Sequence, residues 1–174
     1  MEKEKKVSES VSKIARVMMP TDANLAGNVF GGTILKMVDE VSGLVALRHC
    51  NMNVVTASIE HTDFLWPVHI GDLLTLDAKM TYVGNSSMEV LVNVNAEDLM
   101  TGEVHHAGDS IVTLVALDRD GHPSRVPRLT LETEEERILF AEGDARRKQR
   151  ELRAKKRIDA QTAHTEPKSD GSQK

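Results

Sequence analysis

No segment constrains this chain more than Thr33 to His49, where Ile34, Leu35, Met37, Val38, Val41, Leu44, Val45, Ala46 and Leu47 crowd one helical stretch. Apolar residues at helical spacing normally mark a single stripe. These cover far more than one stripe, so the segment reads as a core helix that other elements must wrap. At 174 residues the chain has room for one such domain and an appendage.

The wrapping material lies mainly downstream. Val54 to Phe64, Leu73 to Val83, Met88 to Glu97 and Val104 to Leu117 read as strands, and Lys13 to Met18 as a shorter strand ahead of the helix. Leu74, Leu76, Ala78, Met80 and Tyr82 alternate with Thr75, Asp77, Lys79 and Thr81. Met88, Val90, Val92, Val94 and Ala96 alternate likewise with Glu89, Leu91, Asn93, Asn95 and Glu97. A period of two with one polar side belongs to an antiparallel sheet covered on one face. Gly84-Asn85-Ser86 and Thr101-Gly102 stand where hairpin turns are needed. The expected fold is α+β, a curved antiparallel sheet around one long helix. Residues 1–12, charged and hydroxyl-rich, predict a flexible leader; 13–127 form the domain; 128–158 form a C-terminal extension with a charged helix over Glu132 to Arg157; 159–174 predict a disordered tail.

Charge narrows the function classes. Between Asp144 and Arg157 eight basic residues face Asp144 and Glu151. Removing them from totals of 22 basic and 27 acidic leaves 14 against 25 elsewhere, or −11. Acidic residues lead the C-terminal helix and basic ones end it, which suits the helix dipole and predicts a solvated helix. The basic end carries no aromatic residues to stack on bases, so no nucleic-acid partner is expected. No apolar run reaches membrane-spanning length and the first residues are charged, which predicts a cytoplasmic chain without membrane insertion. The lone Cys50 excludes an internal disulfide. His105 and His106, neighbours on a strand, point to opposite faces and do not suit a metal, so no metal site is expected. The serine-elbow, phosphate-loop, dinucleotide and zinc signatures are absent.

One polar constellation remains. The loop Met19-Pro20-Thr21-Asp22-Ala23-Asn24 leads to Gly31-Gly32, which open the apolar helix, and that helix contains Asp39. Backbone N–H groups at a helix start can hold an oxyanion, and a carboxylate on the same face can act on water or on a carbonyl carbon. Seven residues separate Gly32 from Asp39, close to two turns, so both lie on one side. Glu40 stands four residues after Lys36 and reads as a structural pair. Taken singly, each feature also has a plainer reading. Asp39 reads as a solvated acid, Asn24 as a turn former and the glycines as a permissive helix start.

In combination the motifs are more specific. Met19-Pro-Thr-Asp-Ala-Asn24, Gly27-Asn-Val-Phe-Gly-Gly-Thr33, Met37-Val-Asp39-Glu, Ala46-Leu-Arg-His49, Val55-Thr-Ala-Ser58, Asp63-Phe64 and Ser86-Ser-Met-Glu-Val90 occur in this order. The set resembles the cytosolic acyl-CoA thioesterases of the hotdog fold, over residues 12–150. The resemblance implies hydrolysis of fatty acyl-CoA to free acid and CoA. It assigns catalysis to Asn24 and Asp39, with Asp39 as general base or nucleophile and Asn24 orienting water or substrate. It makes Gly32, with Gly31, the oxyanion donor, and brings Thr56, Ala57, Ser58, Ser86, Ser87 and Arg128 to the CoA moiety. It implies no cofactor beyond the CoA of substrate and product. It also implies a homodimer with sites shared between protomers, assembled as a trimer of dimers. The alternative is a hotdog regulator that binds acyl-CoA or a nucleotide without turnover.

Overall fold

The computed structural model describes residues 4–165. Five strands form one antiparallel sheet in the order β2-β4-β5-β6-β3, with β2 at Ser12–Val17, β3 at Asn53–Glu60, β4 at Leu73–Val83, β5 at Ser87–Glu97 and β6 at Val104–Leu117. The central helix α1, Gly31–Cys50, packs on one face of this sheet. Ile34, Met37, Val38, Val41, Val45 and Ala46 meet Leu74, Leu76, Met80, Met88, Val90 and Leu114 in one core. The apolar set on β5, and on β4 as far as Met80, thus points at the helix, while a bulge between Met80 and Tyr82 turns the Tyr82 ring to the opposite face. The only polar group on the buried side of α1's middle, Ser42, donates its hydroxyl to the Val38 carbonyl at 2.7 Å.

Three departures from the expected pattern bear on function. First, α1 is not wrapped all round within one chain, because Leu44 and Leu47 each remain 43 % exposed. Five strands cover one side of the helix, leaving that stripe open. Second, the leader is not flexible throughout. Glu4–Lys6 form β1, parallel to β7 at Arg128–Thr130, and Val7 and Ser10 are buried. Main-chain pairing of β1 with the C-terminal extension holds it, aided by Lys5 Nζ donating to the Arg48 carbonyl. Third, β3 ends at Glu60 rather than Phe64. The chain beyond it still follows β6, with Asp63 N donating to Asp109 O at 3.1 Å and Leu65 N to Ala107 O at 2.8 Å. A bulge between Val94 and Asn95 accompanies this run, and a Cβ on Gly108 would stand 1.9 Å from the Asp63 carbonyl oxygen. Only glycine admits so close a backbone.

The C-terminal helix α2, Glu134–Thr165, is not simply solvated. Thr133 and Glu136 form a reciprocal capping box, with Glu136 N donating to Thr133 Oγ1 and Thr133 N to Glu136 Oε2, each at 3.2 Å. The helix then lies over the outer face of β4 and β5. Phe140 packs on Tyr82 at a ring distance of 4.8 Å. Gly143 sits so close that a Cβ would come within 2.5 Å of Tyr82 Cβ and 2.9 Å of Glu89 Oε1. Glu89, expected on a polar face, is therefore fully buried. Arg146 grips it with two hydrogen bonds of 2.8 and 3.2 Å, Thr81 donates to it at 2.9 Å, and Arg150 reaches it at 3.4 Å. The helix runs past the expected boundary at 158 to Thr165, and the tail expected beyond that point lies outside the described residues.

Candidate active site

The loop ahead of α1 is built by its turn formers. Pro20–Asp22 make a 3-10 turn, and Asp22 Oδ2 accepts from Met19 N at 2.9 Å while Oδ1 pairs with Arg16 at 3.0 Å. Asn24 makes the local turn bonds its residue type favours. Its Oδ1 accepts from Ala26 N at 2.9 Å and from Asn28 N at 3.2 Å. These bonds occupy the carbonyl oxygen and aim the amide Nδ2 outward as a donor.

The helix begins at Gly31 without a side-chain cap, since Phe30 holds the capping position. Thr33 N closes back onto the Phe30 carbonyl at 2.9 Å. The N–H groups of Gly31 and Gly32 belong to the first turn, where the helix supplies no acceptors and its dipole favours negative charge. Asp39 is exposed two turns further on. Thr56 on β3 donates its hydroxyl to Asp39 Oδ1 at 2.5 Å, leaving Oδ2 toward solvent. Glu40 pairs with Lys36 at 3.8 Å on the exposed side, as its spacing predicts.

Within one chain Asn24 and Asp39 share no hydrogen-bond partner among the described residues. Thr56 and Ala57 are exposed on β3, an edge strand that bulges between Thr56 and Ser58. Ser58 donates to Glu60 Oε1 at 3.1 Å. Ser86 and Ser87 lie at the β4–β5 turn, on a groove of about 310 Å³ shared with Thr113, Arg147 and Arg150. Arg128 lines an adjoining groove of about 500 Å³, and Asn85 and Arg147 belong to both. Thr113 is buried there, and its Oγ1 has no protein partner. The structure thus groups most sequence-derived residues in two places, one around Asp39 and Thr56 and one between the β4–β5 turn and α2, while Asn24 stays in its own loop. The sequence offers the basic segment as a whole beside Arg128, but a run of charges does not say which of its members a sheet will bury, so Arg146, Arg147 and Arg150 could not be singled out beforehand. His105 and His106 do point apart: His105 stacks on Trp66 at 4.1 Å, and His106 pairs with Asp109 at 2.9 Å.

Residues 26–114 match the thioesterase superfamily. The chain belongs to this family. Its thioesterase relatives include the Bacillus subtilis protein YkhA, named an uncharacterized acyl-CoA thioester hydrolase, 46% identical over 74% of each chain. The mouse cytosolic acyl coenzyme A thioester hydrolase is 38% identical over 92% of this chain, which spans 41% of the mouse protein's length. Among solved structures, the Staphylococcus aureus acyl-CoA hydrolase, held with butyryl coenzyme A, coenzyme A and coenzyme A disulfide, superposes with a TM-score of 0.81. It is 35% identical and covers 91% of this chain and 99% of its own. The architecture is the hotdog fold, its sheet curled on the central helix and α2 added outside.

Proposed function

We propose that this chain hydrolyses acyl-CoA thioesters to a free acid and CoA. The observation that carries the proposal is an exposed carboxylate, Asp39, held by Thr56 on the face of a helix that opens with the uncapped Gly31 and Gly32. The thioester oxygen accepts from the N–H of Gly32, with Gly31 beside it, so negative charge developing on that oxygen meets fixed donors and the helix dipole. Asp39 removes a proton from water as the water oxygen attacks the carbonyl carbon. The tetrahedral intermediate then expels the CoA thiolate, which takes the proton back. In the nucleophilic variant Asp39 displaces the thiolate itself and water cleaves the resulting anhydride. Label found in the aspartate after a single turnover in ¹⁸O water marks the second route, with water attacking the aspartyl carbonyl of the anhydride. Either route consumes water alone and uses no cofactor.

Asn24 Nδ2 serves as a donor to the water or the carbonyl, and it comes from a partner subunit. Support for the shared site lies in the stripe left open by one chain. Leu44 and Leu47 on α1 and Val55 and Ile59 on the edge strand β3 are all exposed apolar residues that a second copy would cover. Related chains form hexamers, which fits a trimer of such dimers. The Staphylococcus aureus enzyme has also been solved with an asparagine, an aspartate and a threonine singly replaced by alanine. Those positions are separated by 15 and 17 residues, the intervals from Asn24 to Asp39 and from Asp39 to Thr56 here. CoA runs from Thr56, Ala57 and Ser58 toward Ser86, Ser87 and Arg128, with its phosphates toward the arginines of α2. The cytosolic mouse relative supports a cytoplasmic location. Among the described residues no helix is long and apolar enough to cross a membrane.

The deciding experiment measures free thiol released from acyl-CoAs of graded chain length by the wild type and by Asp39→Ala. Release by the wild type and its loss in a folded, assembled variant are expected. No release from any acyl-CoA by well-folded wild type would overturn the enzyme in favour of a non-catalytic acyl-CoA binder.

A further inference from the structure

We infer that Phe64 is a gate that sets acyl-chain length, an assignment that rests on the thioesterase reading of the same site. The ring of Phe64 leans on the helix start, its Cζ 3.4 Å from where a Cβ on Gly31 would stand. Behind the ring, between α1 and the sheet, lies a narrow cleft with Ile34, Val38, Val94, Ala107 and Ser110 as walls, beside the segment Thr62-Asp63 and Asp109. Four of these walls are buried apolar side chains. The fifth, Ser110, is hydrogen-bonded to Thr62 Oγ1 at 2.8 Å, so no unsatisfied polar group faces the space from that side.

The cleft adjoins the reacting groups. Ile34 lies one turn beyond Gly31, and Val38 immediately precedes Asp39. A thioester carbonyl held on the N–H groups of Gly31 and Gly32 therefore puts the start of its acyl chain at the Phe64 ring. With the ring in place the cleft holds about 10 Å³, room for a single water at most. An acyl chain enters only when the ring turns away. The backbone beneath cannot follow, because Asp63 is hydrogen-bonded to Asp109 and packed over Gly108. The ring, half exposed at 53 % in the single chain, has room on its outer side into which it can turn. Phe64 thus admits longer chains at the cost of its own packing, and short chains react without opening the cleft. Aliphatic acyl groups are the ligand class that such walls accept.

Phe64→Ala and Phe64→Trp test this from opposite sides, and both substitutions fall at an exposed position. The ratio of kcat/KM for dodecanoyl-CoA over butyryl-CoA should rise about tenfold or more in Phe64→Ala and fall in Phe64→Trp. Thioether analogues of the same two chain lengths bind but cannot be hydrolysed, and their Kd ratio should move the same way. Equal ratios in all three proteins, in binding and in turnover, overturn the gate. Absence of thiol release from the wild type strikes the thioesterase reading instead, while the thioether series still decides the gate.

Discussion

Thr56 Oγ1 donates to Asp39 Oδ1 at 2.5 Å, tying the edge strand to the central helix across 17 positions of sequence. The bond fixes one carboxylate oxygen and leaves the other free to meet water. A hydrogen bond to a charged group contributes about 1.5–3 kcal/mol. Thr56→Ala should therefore lower kcat by about 10- to 100-fold, with Thr56→Ser close to wild type. Steady-state kinetics on the three proteins would check it, and an unchanged kcat in Thr56→Ala would remove Thr56 from the machinery.

Asn24 and Asp39 are expected to meet across a subunit boundary. Each alanine variant should be nearly inactive alone, and mixing them under conditions of subunit exchange should restore about a quarter of the activity, since half the dimers are mixed and one of their two sites is intact. Mass spectrometry of labelled subunits would establish the exchange. No recovery after complete exchange would sink the shared site.

Glu89 fastens α2 to the outer face of the sheet through Arg146 and Arg150. Removing one member of a buried pair strands the other charges, so Glu89→Ala should cost about 3 kcal/mol, the low end for such pairs because both arginines retain some water. Gly143→Ala attacks the same contact sterically and should loosen α2 as well. Denaturant unfolding with hydrogen exchange along α2 reads both variants. Wild-type stability and protection in Glu89→Ala would show that α2 is held by its other contacts, Phe140 on Tyr82 and the Lys79–Glu135 pair among them.

His49 gives stability a pH dependence. It is fully buried, with Nε2 bonded to the Pro127 carbonyl at 2.9 Å and Nδ1 without a partner. Burial pushes its pKa below 6.5, the Pro127 carbonyl and Glu9 oppose this, and Lys5 adds to it. As pH falls through 6.5 the unfolded chain takes up a proton before the folded one does. The stability contributed by neutral His49 is thus complete above that value and is lost as pH falls toward the lower folded pKa. The Tm of the wild type should drop more between neutral pH and pH ~5 than that of His49→Gln, which cannot titrate. Parallel Tm curves for the two proteins would exclude this role.

Much of the scaffold was legible because it rests on local rules. The bounds of β4 and β6 match those read from the sequence, although the alternation on β4 breaks at the bulge between Met80 and Tyr82, and α1 extends only two residues earlier and one later than its apolar run. The plain reading of Asn24 as a turn former holds, and it engages only the amide oxygen. The leader and α2 were misread for one reason. Val7, just after the strand that pairs with β7, and Glu89, under α2, are buried by elements distant in sequence.

Local pattern along the chain thus set the order of the long helix and the five main strands, the inward face of the apolar residues on β5 and on β4 up to Met80, and the placing of Gly31, Gly32 and Asp39 on one side of a helix. Periodicity and turn chemistry act over a few residues and can be read along the chain. Packing between elements sets the rest: Thr56 holds Asp39, Phe64 covers the helix start, and Arg146 neutralises a buried Glu89. Each of these joins residues on different elements, and the curl of the sheet, which brings them within hydrogen-bond or van der Waals range, is a property of the packed whole.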